Sequence, residues 1–279
     1  MARILAISSY VVHGHVGLAA VAPTLHAMGH EVLAVPTVVL SAHAGYPDIG
    51  GIWFERGQIR RIAEGLRANG WLRSIDAVMT GYLPSVDLVE DARSIVRMVR
   101  EESVDALYLC DPVIGDDPRG LYVLDEVAVA VRDKLLPLAD ILTPNRYELE
   151  WLSGRPVRSG TDAEAAGSAM GAALLVATSV PAGRKHIANV FSSENSAGQA
   201  VVPREEDVPH GTGDLFAALL IGHLLNDVDH AEAVGRATAG VKMVIEAGPR
   251  RRELRLIESV ARAVSANGEA IQPLGGAGI

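Results

Sequence analysis

An open, mostly parallel α/β sheet covered by helices on both faces is the fold this chain predicts, and three observations predict it. Short apolar runs alternate with amphipathic stretches along all 279 residues, the pattern of parallel strands joined by crossover helices. Ala, Val, Leu and Gly dominate while aromatic residues make up 4%, which suits close packing of helices on a sheet buried from both sides. No internal repeat or linker-like stretch interrupts the rhythm, so 1–279 is expected to be a single domain.

The elements follow in order. Residues 3–8 (RILAIS) read as the first strand, followed by the glycine-bearing loop SSYVVHGHVG. A helical pattern over about 17–28 ends at Gly29, and EVLAVPTVVL reads as the next strand. Ile59, Ile62 and Leu66 share helical spacing in 58–69, and Asn69-Gly70 stops that helix. A strand is expected at 76–81, and then a helix with Val89, Ala92, Val96 and Val99 on one face. Further strands are expected at 105–111, 139–145 and 172–179. Residues 187–202 break the rhythm: IANVF, a Ser/Asn/Gly turn and QAVV read as an antiparallel hairpin. LFAALLIG reads as a helix buried nearly all round. The last helix is expected to end near Ala266, leaving 266–279 as a loose tail.

The formal net charge of −9 argues against broad binding to nucleic acid or anionic membranes. It leaves room for a small anion held by local backbone N–H groups. The single cysteine, Cys110, builds no internal disulfide framework, and no Cys/His cluster has zinc spacing. The first residues enter a strand directly and no apolar run is long enough to span a bilayer, so a cytoplasmic location is expected.

Ligands of open parallel sheets collect at the carboxyl ends of the strands. Five polar stretches fall there: Ser8-Ser9, Tyr82, Asp111, Thr143-Pro144-Asn145 and Thr178-Ser179. Beside them stands Gly211-Thr212-Gly213-Asp214, at the start of the buried helix. Glycine lets the backbone approach a ligand without a Cβ clash. The first N–H groups of a helix lack intrahelical partners and, with the helix dipole, form an anion hole. Asp214 is then either a first-turn acid that complements the dipole or the base of a phosphoryl transfer, accepting the proton of an attacking hydroxyl. An ionised Asp on a buried helix is costly without a purpose. No Walker loop and no protein-kinase strand set is present, which excludes those two ATP-using folds. Asn145 and Glu148 have the spacing of a capping box. The same two side chains are candidates to face a triphosphate and order Mg²⁺ through its water shell. Asp111 is either a turn cap or a residue that holds a cation.

Taken together and in order, ILAISSYVVHGHVG, VPTVVLSAHAGY, MTGYL, LYLCDPVIGD, TPNRYELEWLSG and GTGDLFAALL resemble the pyridoxal kinases of the ribokinase-like superfamily, from about residue 3 to 225. The resemblance implies a three-layer α/β/α fold. It also implies ATP-dependent phosphorylation of the 5'-hydroxymethyl group of pyridoxal, with pyridoxine and pyridoxamine as further substrates. By position, Asp214 would be the base, and Gly211, Thr212 and Gly213 the anion hole. Ser9, Val38, His43 and Tyr82 would line the pyridine pocket. Asp111, Asn145, Glu148, Thr178 and Ser179 would serve ATP, with Asp111 and Glu148 reaching Mg²⁺ mostly through water. A monovalent cation such as K⁺ and a homodimer also belong to what the resemblance implies. The chain departs from the family pattern where Ala42 and Ala44 replace polar neighbours of His43, at Leu18, and at Pro209-His210. The alanines keep open a hydroxymethylpyrimidine (phosphate) kinase, although that relative typically carries Cys where this chain has Asp214. A sugar or nucleoside kinase would show a glycine pair after an Asp near 8–17, which is missing. A non-catalytic vitamer-binding relative is the remaining alternative.

Overall fold

The structure, a computed structural model, describes residues 1–248 and 252–274. Twelve strands lie among the described residues: β1 (Arg3–Val11), β2 (Glu31–Leu40), β3 (Gly51–Trp53), β4 (Ala77–Thr80), β5 (Leu107–Cys110), β6 (Gly115–Asp116), β7 (Gly120–Leu121), β8 (Ile141–Leu142), β9 (Leu174–Pro181), β10 (His186–Ser193), β11 (Ala197–Pro203) and β12 (Ile271–Gln272). Ten of them form one sheet in the order β12-β11-β10-β9-β8-β5-β4-β1-β2-β3, while β6 and β7 pair as a separate small hairpin. The six central strands, from β2 to β9, run parallel. The outer strands are antiparallel additions.

The helices are α1 (Leu18–Ala27), α2 (Gln58–Ala68), α3 (Val86–Glu102), α4 (Asp125–Lys134), α5 (Arg146–Ser153), α6 (Gly160–Ser168), α7 (Thr212–Leu224), α8 (His230–Ala247) and α9 (Leu256–Ala263). Side chains alternate across a strand, and β1 shows the consequence. Leu5 and Ile7 enter a core shared with α2 to α6, whereas Ile4 and Ala6 enter a second core shared with α1, α7, α8 and α9. The result is the three-layer α/β/α arrangement. The expected face of α3 is fully buried at Val89, Ala92, Val96 and Val99. On α7 every residue from Leu215 to His223 is buried, because that helix is packed between α1 and α8 as well as against the sheet.

Four expectations need correction. Strand β1 does not end at Ser8-Ser9 but continues to Val11, because Tyr10 and Val11 pair with Val39 and Leu40 of β2 beyond a register shift at Ser9. Strand β9 does not end at Thr178-Ser179 but continues to Pro181, because β10 prolongs the ladder with Ala188 opposite Val180. The two polar residues sit instead beside a register shift, with Ser179 at φ +59°. The loose tail is in part a strand: Gln199 and Ala200 of β11 pair with Gln272 and Ile271, and the Glu269 N–H donates to the Gly235 carbonyl at 3.0 Å. Ile271 packs on the second core, so the tail is held by apolar burial and covers an otherwise unpaired edge. Residues 275–279 of that tail lie outside the described residues. Ile62 does not share the burial of Ile59; it is 40% exposed against 0%.

Candidate active site

The carboxyl-terminal halves of β1 and β2 and the residues just after β4 build one wall. Ser8 and Ser9 are buried. Ser8 Oγ accepts from the Tyr82 N–H at 3.2 Å, and only a glycine at 81 permits that approach, since a Cβ there would lie 2.5 Å from the hydroxyl. Thr37 Oγ1 donates to the Tyr82 carbonyl at 2.8 Å. Val38 is fully buried and shares a small apolar cluster with Tyr82, Val11 and Leu40. Backbone hydrogen bonds and this cluster thus fix the Tyr82 ring where a flat heterocycle can pack on it.

Ser9 also backs onto Gly17. A Cβ at 17 would meet the Ser9 carbonyl oxygen at 2.2 Å, and the residue has φ +58°, so glycine is required on both counts. The Gly17 amide lies close enough to the Asp214 carboxylate to hold its pKa down. Ser9, Gly17 and Asp214 are therefore contiguous, although 205 residues separate the outer two in sequence. Burial pushes the Asp214 carboxyl up to about 6, and the amides of Gly17 and of Asp214 itself limit the rise.

Asp214 lies in the first turn of α7, whose start no neighbouring side chain caps. Gly211 has φ +94°, and a Cβ there would fall 2.1 Å from the His15 carbonyl oxygen. Gly213 differs: it is exposed, and a Cβ on it would meet no protein atom within 4 Å. A helix N-terminus buried along its sides but open at its tip presents unpaired N–H groups and the positive end of the dipole to one small region.

A second group of acids converges from β5 and α5. Asp111 follows β5 and is 7% exposed. Burial holds its carboxyl well above the usual range, and the charges of Glu148 and Asp214 add to the effect. Glu148 is 2% exposed. Burial raises it to about 7 even though three backbone N–H groups oppose the shift: Ile114 at 2.8 Å, Gly115 at 3.3 Å and Asn145 at 2.9 Å. The Tyr122 hydroxyl is raised by burial first and then by Glu148, Asp111, Asp116 and Asp214. Negative charge from four carboxylates thus gathers around one place.

The capping box of α5 is present in both directions, so Asn145 and Glu148 do cap the helix. Glu148 also ties down the loop after β5, where Val113 is held at φ +45°. A β-branched residue in that region stores strain of about 1–3 kcal/mol and persists only where the surroundings impose it. Asn145 Nδ2 donates to the Gly115 carbonyl at 2.8 Å, and Thr178 N–H donates to the Pro144 carbonyl at 2.9 Å. Asn145, Glu148 and Thr178 therefore belong to one cluster, with the Ser179 side chain exposed beside it. Thr143 Oγ1 is buried there beside the Asp111 carboxyl, whose pKa it helps to hold down.

No three His, Cys, Asp or Glu side chains among the described residues converge as a direct metal cluster. The donor chemistry does fit a hydrated Mg²⁺: the donors are oxygens, the acids repel one another, and both Glu148 oxygens are already engaged by amides. Mg²⁺ keeps several waters and accepts such outer partners.

His43 lies three residues beyond the end of β2, the strand that carries Val38. It stacks on His210, with ring centroids 3.8 Å apart and planes at 24°. The two rings line a cavity of about 360 Å³ together with Tyr46, Arg119 and Arg252. Gly17, Arg119 and Arg252 were not singled out in the sequence, and His210 stood out there only as a departure from the family pattern. A glycine ending the loop before α1 was the one available signal.

An uncapped helix tip beside a raised carboxyl, with a second group of acids close enough to share its charge, on a three-layer α/β/α sheet, is the arrangement of a phosphotransferase of the ribokinase-like class. The family model for phosphomethylpyrimidine kinase matches residues 59–255. Pyridoxal kinase PdxY of Corynebacterium diphtheriae is 37% identical over 267 residues, covering 92% of this chain and 94% of that protein. Human pyridoxal kinase is 35% identical over 238 residues, covering 78% and 76%. The solved structure of Leishmania donovani pyridoxal kinase with ADP and pyridoxamine superimposes with a TM-score of 0.91 at 34% identity, covering 98% of this chain and 100% of that one. The chain belongs to the pyridoxal kinase family.

Proposed function

We propose that the protein transfers the γ-phosphoryl group of ATP to the 5'-hydroxymethyl oxygen of pyridoxal, and of pyridoxine and pyridoxamine, giving the 5'-phosphate and ADP. The observation that carries this reading is the Asp214 carboxyl, raised to about 6 and set beside the open tip of α7. That value keeps it ionised near neutral pH yet more basic than an ordinary aspartate, which is what a base for an alcohol needs. As the hydroxyl oxygen forms its bond to phosphorus, its proton passes to Asp214 and the bond to the β-phosphate oxygen breaks. The amides of Gly211, Thr212 and Gly213 hold the charge on the transferring group. Ser9, Val38 and Tyr82 receive the ring, with His43 at its edge. Asp111, Asn145, Glu148, Thr178 and Ser179 receive the nucleotide. Bound Mg²⁺ supplies charge neutralisation of the phosphates, with Asp111 and Glu148 ordering its water shell; K⁺ is a further expected activator.

The match to the phosphomethylpyrimidine kinase model supports the shared ATP chemistry more than the substrate, since it begins at residue 59 and omits Ser9, Val38 and His43. Relatives that cover this segment include pyridoxal kinases at 37% and 34% identity, and a putative phosphomethylpyrimidine kinase of Bacteroides thetaiotaomicron covers it as well at 25% identity. We assign the protein to the cytoplasmic ATP pool and to a homodimer. Support for the dimer comes from the outer strand β3, where Ile52 and Trp53 are 66% and 55% exposed.

The deciding experiment is ATP consumption with Mg²⁺ and pyridoxal, pyridoxine, pyridoxamine or hydroxymethylpyrimidine. Turnover of micromolar pyridoxal is expected, and turnover of the pyrimidine alone would refute the assignment. Asp214→Asn is expected to lower kcat by about 10²–10⁴-fold while vitamer binding survives.

A further inference from the structure

We propose that His210 is a positioning residue for the vitamer: its ring clamps His43 so that the His43 Nε2–H is presented to the substrate. The inference rests on the kinase reading and extends it to a residue that no family motif assigned. Residues 42–46 follow β2, whose Val38 is assigned above to the ring site, and contribute His43, Gly45 and Tyr46 to the neighbouring cavity; they have few polar side chains. Ala42 and Ala44 offer none, and the Tyr46 hydroxyl is committed to Glu253 Oε1 at 2.9 Å. His43 is what remains. Its Nδ1 accepts from the Gly45 N–H at 3.1 Å. A backbone N–H only donates, so Nδ1 carries no proton and Nε2 carries it. Among the described residues Nε2 has no hydrogen-bond partner. The segment thus exposes one free donor.

A lone histidine on a loop would sweep that donor through several rotamers. Here the His210 ring lies flat against it at 3.8 Å. His210 is itself fixed on two sides. It immediately precedes Gly211, where the backbone runs so near the His15 carbonyl that a Cβ would fall 2.1 Å from its oxygen, and it bridges to Glu253 in parallel. The donor is therefore indexed to the start of α7, the same element that carries Asp214. Both imidazoles are held below their ordinary range: burial comes first for each, with Arg119 acting on both and His210 on His43. The pair stays neutral, which preserves the Gly45 hydrogen bond.

The test compares His210→Ala with His210→Phe in the full-length protein, reading the KM for pyridoxal, the KM for ATP, kcat and direct pyridoxal binding without nucleotide. His210→Ala is expected to raise the pyridoxal KM and dissociation constant about tenfold, the worth of one well-placed hydrogen bond. The ATP KM should stay within about twofold. His210→Phe keeps a flat ring on His43 and should retain pyridoxal affinity within about threefold. His43→Ala should equal His210→Ala, and the double variant should add nothing further, because both remove the same contact. Unchanged pyridoxal affinity in His210→Ala overturns the proposal while leaving the kinase assignment intact. A defect shared equally by ATP and pyridoxal overturns it too, because His210 would then act through the anion hole. Wild-type protein that neither binds nor phosphorylates pyridoxal would overturn both.

Discussion

Replacing Gly213 by alanine separates a glycine needed by the fold from one needed by a ligand. A Cβ at 213 meets no protein atom within 4 Å, and the residue is exposed. The backbone there is helical, so alanine fits without strain. Glycine in a helix is about 0.5–1 kcal/mol less favourable than alanine. At about 2–4 °C per kcal/mol for a domain of this size, Gly213→Ala should leave the melting temperature unchanged or raise it by about 1–3 °C. Gly211→Ala is the control. Its φ of +94° and the 2.1 Å approach to the His15 carbonyl combine a left-handed penalty of about 1–2 kcal/mol with an overpacking cost of about 1–3 kcal/mol. That variant should melt several degrees lower. The informative result is activity. If the phosphoryl group rests on the amides of 211–213, the new methyl at 213 occupies its place. Losing the contact of even one such donor is worth about 10²–10³ in kcat. Thermal melts and steady-state kinetics with ATP as the varied substrate read both quantities on the same preparation. A Gly213→Ala protein that is as stable as wild type and equally fast would refute the placement of the anion at this helix tip.

Three further outcomes follow from the acids. Asp214 must be ionised to take a proton, so kcat/KM should fall as pH drops through about 6, and a profile flat down to pH 4.5 would remove it as the base. The same shift has an opposite sign for stability. A carboxyl whose folded value exceeds its unfolded one binds more protons when folded, so its contribution to stability is lost as pH rises from about 4 through about 6. Asp214→Asn should therefore melt higher than wild type at pH 7.5, with the gain shrinking towards pH 4, while turnover collapses. Glu148→Gln should do two things at once. It replaces one of two oxygens that accept backbone N–H groups, so the melting temperature should fall, and it should raise the Mg²⁺ concentration for half-maximal activity more than the pyridoxal KM. A lower melting temperature with an unchanged Mg²⁺ requirement would leave Glu148 as a cap alone.

Much of the fold was legible because each strand and helix carries its own periodicity. The parallel core of β1, β2, β4, β5, β8 and β9, the 187–202 hairpin and the buried α7 all follow from local pattern. What escaped depended on partners elsewhere in the chain. Thr178-Ser179 looked like a strand end by polarity, yet β10 extends the ladder past it. Residues 271–272 looked like tail by composition, yet β11 offers them an edge. Strand β3 and the β6–β7 hairpin are too short to show a period of two.

The site divides along the same line. Asp214, Asp111 and Glu148 were visible because acids at strand ends and helix tips are conspicuous against an apolar chain, and the structure joins them through shared charge. Gly17 was not visible, and His210 was visible only as a departure from the family pattern without a role. A glycine in a glycine-bearing loop reads as a turn, and only the Ser9 carbonyl 2.2 Å from its absent Cβ shows that it must be glycine. A histidine before Gly-Thr-Gly-Asp has no pattern to answer to, and its meaning lies in His43, 167 residues earlier. Local motifs thus define the phosphoryl chemistry, which needs a helix tip and an acid in fixed order along the chain. Substrate choice depends on side chains that meet only after folding. That is why Ala42 and Ala44, read alone, suggest a pocket short of hydrogen bonds, whereas the stacked pair beside them shows one donor held in place.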